Sequence, residues 1–444
     1  MRPTTLEAWL DYQQQLHPQA IALGLERVRE VWSRLGAPLP APVVITVGGT
    51  NGKGSTVAFL EAMLAAGGMK VGAYTSPHLL RYNERVRVAG VDVTDAVLVD
   101  AFARIEGARS EVPLTYFEFG TLAAFLVFAD AAVDVAVLEV GLGGRLDAVN
   151  LVDADAAIVA TVDLDHQAWL GPDRESIGRE KAGIFRAGRP AISGESDPPA
   201  SLVAHARAIG ARLEVLGRDF GWDVEPGLLR FWRKSGAGDS AVSAERTVSV
   251  IPETLVLEGA FQRANAAAAI AALSALGDRV RWRSDVLAVR VQRAGTPPFL
   301  AARLQRIDTN PELVVDVGHN PQAARALADW LATNPAAGRT RAVYGALSDK
   351  DVSAIAAALS GHVDEWFLAG LDGESPRGMP VAELRERVRR GLPTDSVARM
   401  FTSPGAALDA AFAASGPDDR ILAFGSFFIA AVALRAAATR NIGV

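Results

Sequence analysis

Lysine, serine and threonine stand directly behind a run of glycines in ITVGGTNGKGSTVAFLEAML, Ile45 to Leu64, an order of residue types suited to gripping a phosphate chain. Gly48, Gly49, Gly52 and Gly54 remove side chains where backbone N–H groups must approach an anion. A helix starting after Lys53 adds its positive dipole end. Lys53 supplies a mobile charge for the terminal phosphates, and Ser55 or Thr56 a hydroxyl for magnesium. The common P-loop has Gly where this chain has Val47, and Ser or Thr where it has Gly54. A glycine turn that binds nothing is the bland alternative, and the ordered succession of strand, lysine, hydroxyls and helix argues against it.

Other polar residues stand directly after apolar runs, where an open parallel sheet presents its ligands. Ser76 in TSPHLLRYNERVRVAG can coordinate a metal, with Pro77, His78 and Asn83 suiting an ordered loop; an ordinary surface loop fits equally. Glu139 in DVAVLEVGLGGRLDAVN ends an apolar run, and burying it demands a cation, either magnesium or Arg145. His166 in TVDLDHQAWLG is a metal ligand or a turn-capping histidine. Lys181, beside Glu180, reads by default as a solvated helix residue, yet a neutral lysine near a divalent ion can take up carbon dioxide as a carbamate. Further on, LVVDVGHNPQAARALADWL carries Asp316, His319 and Asn320 ahead of Pro321. Asp316 can meet a ribose or cap a helix. Arg303 can deliver a cation to a γ-phosphate or lie on the surface.

The elements that must hold these groups alternate in type. β-rich runs at Val43 to Val47, Val71 to Thr75, Val133 to Val140 and Ala156 to Val162 are separated by helical patterns near Ser55 to Ala66, Asp95 to Glu106 and Phe119 to Ala129. This predicts a parallel sheet covered by helices. Leu213 to Val250 reads as hairpins forming a small antiparallel extension. After helices at Gln262 to Leu276 and Ser284 to Val291, the string RAGTPPFLA marks a boundary, giving domains 1–294 and 295–444. Strands at Leu313 to Val317, Arg341 to Gly345, Asp364 to Ala369 and Arg420 to Phe424 predict a second α/β domain, Rossmann-like in kind.

Composition narrows the partners. A chain of 444 residues, half of them apolar, can fill two cores. A formal charge of -6 argues against a general nucleic-acid or anionic-membrane surface, which leaves a small ligand. With no cysteine there is no disulfide, thiolate metal site or cysteine nucleophile. The polar start MRPTTLEAWLDYQQQLHP and the shortness of the apolar stretch Ile421 to Leu434 predict a cytoplasmic protein.

Taken together, GTNGKGS (Gly49 to Ser55), TSPHL, TYFEFGTLAA (Thr115 to Ala124), LEVGLGGRLDAVN, DLDHQAWLGPDRESIGREKAGIFR and DVGHNP resemble the Mur ligase superfamily and, within it, the folylpolyglutamate synthase/dihydrofolate synthase family. The resemblance spans nearly the whole chain, and GKGS is that family's own form of the phosphate loop. It implies an N-terminal P-loop ATPase domain with a C-terminal Rossmann-like ligase domain. It further implies an ATP site at Gly49, Thr50, Asn51, Gly52, Lys53, Gly54, Ser55 and Thr56, completed by Asn265, Arg303, Asp316 and His319. Ser55, Ser76, Glu139 and His166 are the implied magnesium ligands, over two sites, and Lys181 matches the lysine that family members carbamylate. Thr115, Phe117, Asp147 and Ala148 match the pterin positions, and LGLERV (Leu23 to Val28) the element lining that pocket. Two departures stand out: Gly318 where Ala is common, and Phe427 and Phe428 where more polar side chains often occur.

The implied activity is ATP-dependent ligation of L-glutamate to dihydropteroate and to reduced folates, by a monomer, with Lys53, His166, Lys181 and Arg303 serving the chemistry. A polyglutamate synthase lacking the dihydropteroate activity, a muramyl ligase, and an ATPase switch acting on a protein partner are the competing expectations.

Overall fold

Short apolar runs bounded by glycine, proline or charged residues become strands, and the stretches between them wind into helices that cover both sheet faces. The computed structural model describes residues 3–17, 19, 21–234, 246–252, 259–282, 300–307 and 310–439. The expected boundary at 294/295 and the helix Ser284 to Val291 lie outside the described residues. The described residues form two compact units, one of residues up to 252 with 262–282, the other of 259–261 with 300–439.

The first unit contains β1 (Val43–Gly48), β2 (Val71–Tyr74), β3 (Val86–Val88), β4 (Val91–Asp92), β5 (Val135–Glu139), β6 (Ala156–Val159), β7 (Pro190–Ser193) and β8 (Arg212–Val215). They form one sheet in the order β4-β3-β2-β5-β1-β6-β7-β8. From β2 to β8 the neighbours run parallel, while β3 and β4 pair antiparallel at one edge. β1 is buried along its whole length, and its residues alternate between two cores. Val44 packs with Trp9, Phe102, Phe119 and Phe125 on one face, and Val43, Ile45 and Val47 with Phe59, Leu60 and the alanines of helix Ala260–Leu276 on the other. This two-residue period is what a strand sandwiched between helix layers requires.

The expected antiparallel element is β9 (Phe220–Glu225), β10 (Leu228–Lys234) and β11 (Arg246–Pro252), which form a separate three-stranded sheet, while β8 joins the parallel one. In the second unit β12 (Gln305–Ile307), β13 (Glu312–Val315), β14 (Thr340–Tyr344), β15 (Glu365–Ala369), β16 (Val397–Phe401) and β17 (Arg420–Phe424) are ordered β12-β13-β17-β14-β15-β16. All neighbours are parallel except the β12–β13 pair. Its core includes Tyr344 stacked on Phe424 at 4.8 Å between ring centres, with Trp366 edge-on to Tyr344. The apolar stretch from Ile421 divides between β17 and helix Phe427–Thr439; no described helix is long and apolar enough to cross a membrane.

Candidate active site

The phosphate loop is the connection between β1 and helix Lys53–Ala66. Gly52 caps that helix with φ +85°, a left-handed conformation that costs other residues energy. A β-carbon there would also sit 2.4 Å from the Asn265 amide oxygen. Glycine is therefore required twice over, and Asn265 is in place beside the loop. The loop is pinned to the segment after β6: Thr50 N–H donates to the Thr161 carbonyl (2.7 Å), Asn51 N–H to Thr161 Oγ1 (3.0 Å), and Thr50 Oγ1 to the Asp163 carbonyl (3.1 Å). Lys53 folds back over it, its Nζ donating to the Gly49 and Thr50 carbonyls at 3.0 and 3.1 Å. The Thr56 hydroxyl donates to the Gly52 carbonyl (2.9 Å), a backbone duty within the helix, while Ser55 is buried one residue earlier.

Register brings the candidate metal residues to the same end of the sheet. Glu139 pairs with Val47, the residue before Gly48, and Ser76 follows β2 on the other side of β5. Ser76 N–H donates to Glu139 Oε2 at 3.1 Å. The alternative of an ion pair with Arg145 is not what forms: Arg145 pairs with Glu180 at 2.8 Å. His166 has φ +51° at the start of the short helix Gln167–Leu170 and is partly exposed, 3.9 Å from Asp165. An acid at a strand end, a hydroxyl and an imidazole form a donor set that suits a hard divalent cation.

Lys181, on helix Arg174–Ala182, is only 4% exposed, so the solvated-face reading is corrected. Burial, reinforced by the Lys53 charge, lowers its ammonium to about 7. Burial likewise pushes the Asp147 carboxyl up to about 7, against the pull of the Leu142 and Val149 N–H groups it accepts at 2.8 and 2.9 Å. Glu195, which accepts the Val162 N–H, is raised to about 7, again by burial first.

The candidate pterin residues form a wall. Thr115 caps helix Tyr116–Asp130 in a reciprocal box with Glu118, and Arg27 of LGLERV reaches Glu118 at 3.0 Å. Gly24 N–H donates to the Leu146 carbonyl, drawing that N-terminal segment onto the loop holding Asp147 and Ala148. A β-carbon at Gly141 would lie 2.5 Å from Phe117 Cζ, so the ring rests directly on the turn after Glu139. Phe117 is also tilted against Tyr74, 6.0 Å between centres.

In the second unit, Asp316 follows β13 and is clamped, accepting Leu304 N–H on Oδ2 (2.8 Å) and Gly318 N–H on Oδ1 (2.6 Å). Burial raises its carboxyl, opposed by the Arg303 charge. The helix cap is Asn320, so capping is not the role of Asp316. Arg303 lies over the Phe427 ring at 5.6 Å, and His319 contacts the same ring at 6.5 Å.

Sequence reasoning missed a cluster on the loop after β2. There Arg85, His78, Tyr82 and Tyr116 meet, and burial together with the Arg85 charge lowers the His78 imidazole to about 4. The ER pair in RYNERVRV was the available signal.

Sheet topology and phosphate loop together define an ATP-using ligase of the Mur type, and residues 302–427 match the Mur ligase family's glutamate ligase domain. The dihydrofolate synthase/folylpolyglutamate synthase of Escherichia coli (strain K12) is 44% identical, over 99% of this chain and 97% of that one. Among solved structures, E. coli FolC in complex with DHPP and ADP superposes with a TM-score of 0.87 at 42% identity, covering 99% of each chain. A bifunctional folylpolyglutamate synthase/dihydrofolate synthase with Mn, AMPPNP and L-glutamate bound gives 0.84 at 40% identity, over 99% and 98% of the two chains. This chain belongs to the dihydrofolate synthase/folylpolyglutamate synthase family.

Proposed function

We propose that this chain joins L-glutamate to dihydropteroate and adds further glutamates to reduced folates, consuming ATP through an acyl phosphate. The observation carrying the reading is the shared strand end: Glu139 lies in register with Val47 beside the phosphate loop, and Phe117 rests on the turn that follows Glu139. A phosphate grip and a flat aromatic face thus flank one buried acid.

A free carboxylate resists attack by an amine because oxide is a very poor leaving group. In the first step an acceptor carboxylate oxygen attacks the γ-phosphorus in line, and the bond to the bridging oxygen breaks to release ADP. Lys53 leaves the Gly49 and Thr50 carbonyls to meet the charge that gathers on the transferred group, with Arg303 assigned the same duty. Asn265, Asp316 and His319 are assigned to the nucleotide. In the second step glutamate's amino nitrogen attacks the acyl carbon, phosphate departs and the nitrogen sheds a proton.

Ser55, Ser76, Glu139 and His166 would hold magnesium, in two sites, and the ion when bound supplies positive charge to the phosphates. Lys181, poised near neutrality, is assigned to carbamylation: its uncharged nitrogen bonds to the carbon of carbon dioxide and one proton is released. The resulting anion suits a cation-rich site. Thr115, Phe117, Asp147 and Ala148 are assigned to the pterin. We further assign a cytoplasmic monomer, which sedimentation of the purified chain tests.

Acceptor carboxylate labelled with heavy oxygen tests the pathway. One labelled oxygen should appear in the released inorganic phosphate with dihydropteroate and, separately, with tetrahydrofolate. Turnover with unlabelled phosphate removes the acyl phosphate, and label with one acceptor alone reduces the protein to that single activity.

A further inference from the structure

Between β2 and β4 the chain carries a dense run of charge, RYNERVR, and nearly every charge there has a protein partner. Glu84 accepts the backbone N–H groups of Leu79, Leu80 and Arg81, at 2.7, 2.8 and 2.7 Å. Arg81 faces Asp95 at 3.4 Å. Arg87 pairs with Glu61 at 2.7 Å and also donates to Thr75 Oγ1.

Arg85 is different. It is 8% exposed, and its guanidinium carbon lies 5.2 Å from the Tyr82 ring centre and 5.5 Å from that of Tyr116. Its Nε–H donates to His78 Nδ1 at 2.9 Å. Among the described residues no carboxylate forms an ion pair with it, and Glu84, its neighbour in sequence, is spent on three backbone groups. Aromatic faces recover part of the hydration a buried guanidinium gives up, but the two terminal nitrogens are made for a forked anion. The site also has an address. Tyr116 stands between Thr115 and Phe117, and the Arg85 carbonyl accepts the N–H of Thr75, the residue before Ser76. Arg85 is thus built into the wall that joins the candidate pterin residues to the candidate metal residues.

We propose that Arg85 anchors a carboxylate of the folate acceptor, with His78, Tyr82 and Tyr116 fixing the guanidinium so that Nη1 and Nη2 pair with the two carboxylate oxygens. The inference rests on the ligase reading. Dihydropteroate offers the benzoate carboxylate, whereas a folate offers those of its glutamate, and both present the same forked oxygens.

The test compares wild type, Arg85→Lys and Arg85→Ala with two ligands, pteroate and an analogue lacking its carboxyl group, alongside steady-state kinetics. Removing the carboxyl should weaken binding to wild type roughly 10- to 100-fold, as expected for a charge-assisted hydrogen bond, and weaken binding to the variants by less than about threefold. KM for the acceptor should rise by a similar factor while KM for ATP holds. A rise with dihydropteroate assigns the benzoate carboxylate, and a rise with tetrahydrofolate alone assigns the glutamyl one. Equal losses on removing the carboxyl in all three proteins, with KM for tetrahydrofolate unchanged in the variants, overturn the proposal. So does a joint rise in both KM values with a lowered melting midpoint, which marks Arg85 as structural. If Arg85→Ala does not fold, Arg85→Lys decides by the same ligand comparison. Wild type that turns over neither acceptor defeats the ligase reading itself, a result separate from either.

Discussion

Each of the two mostly parallel sheets sets a buried acid at the carboxyl end of a strand, and the two acids are treated unlike. Glu139 ends β5 among groups whose charge is unsettled by burial: Lys181 and Asp147 both titrate near 7, and Lys53 is close enough to shift each of them. Asp316, after β13, is instead gripped by backbone, one N–H on each oxygen. The same topological position therefore leaves the acid near groups that titrate close to neutrality in one unit and pins it to backbone N–H groups in the other. Location at a strand end says where to look, and the partners say what the acid does.

The sharpest way to break this contrast is Lys53→Ala, which should lower ADP formation by at least about a hundredfold in a coupled assay with dihydropteroate and glutamate, while leaving the melting midpoint near that of wild type. Nearly as large is the effect expected for Glu139→Gln: roughly a hundredfold less activity, with the magnesium concentration for half-maximal rate displaced upward.

Lys181→Met sharpens the comparison by separating function from stability. The native ammonium lies below its unfolded value, so the unfolded chain binds more protons between about pH 7 and 10.5. Stability from this group rises with pH over that window, and the burial cost is full below pH 7. Methionine should thus raise stability at pH 6, gain little near pH 10, and inactivate the enzyme; denaturant titration at both pH values reads the difference. Wild-type activity should fall as pH drops through 7, when protonation removes the neutral nitrogen that the proposed carbamylation needs. Bicarbonate enriched in carbon-13 should give a carbamate resonance that Lys181→Met lacks.

Asp316→Ala should cost about 2 kcal/mol of stability, because the Leu304 and Gly318 N–H groups lose their acceptor. A loss of activity with no change in denaturation midpoint would instead put Asp316 in the same class as Glu139. The smallest effect belongs to Phe427→Ala. It removes the ring beneath Arg303 and should reduce kcat about two- to fivefold, as expected for a modest, half-buried cation–π contact.

How much of this was legible in the chain depended on distance along it. The phosphate loop, Glu139 at its strand end and the two α/β units are local patterns of period and residue type, and they read directly. β12 and β16 did not read. They are edge strands with charged or exposed residues such as Arg306, Val397 and Met400, and an edge does not impose the apolar run of a central strand. The burial of Lys181 was hidden too, since charges on a short helix look the same whether the helix faces water or the sheet. For the Arg85 cluster, Tyr116 comes from a helix dozens of residues away, and no spacing rule anticipates that meeting. Thr115 and Asp147 carry a further lesson: each caps a helical turn, so a purely local role already explains its residue type, and only the assembled wall suggests a second.

A β-carbon on Gly52 would run into Asn265, and the residue is wound left-handed as well, so its freedom to evolve is limited by two separate restrictions. Trimming Asn265 to alanine opens room for a methyl group yet leaves the reversed winding, and the double variant Gly52→Ala/Asn265→Ala should recover only part of the denaturation midpoint that Gly52→Ala loses. Position 52 is therefore closed to stepwise drift, since no single compensating change elsewhere lifts both restrictions.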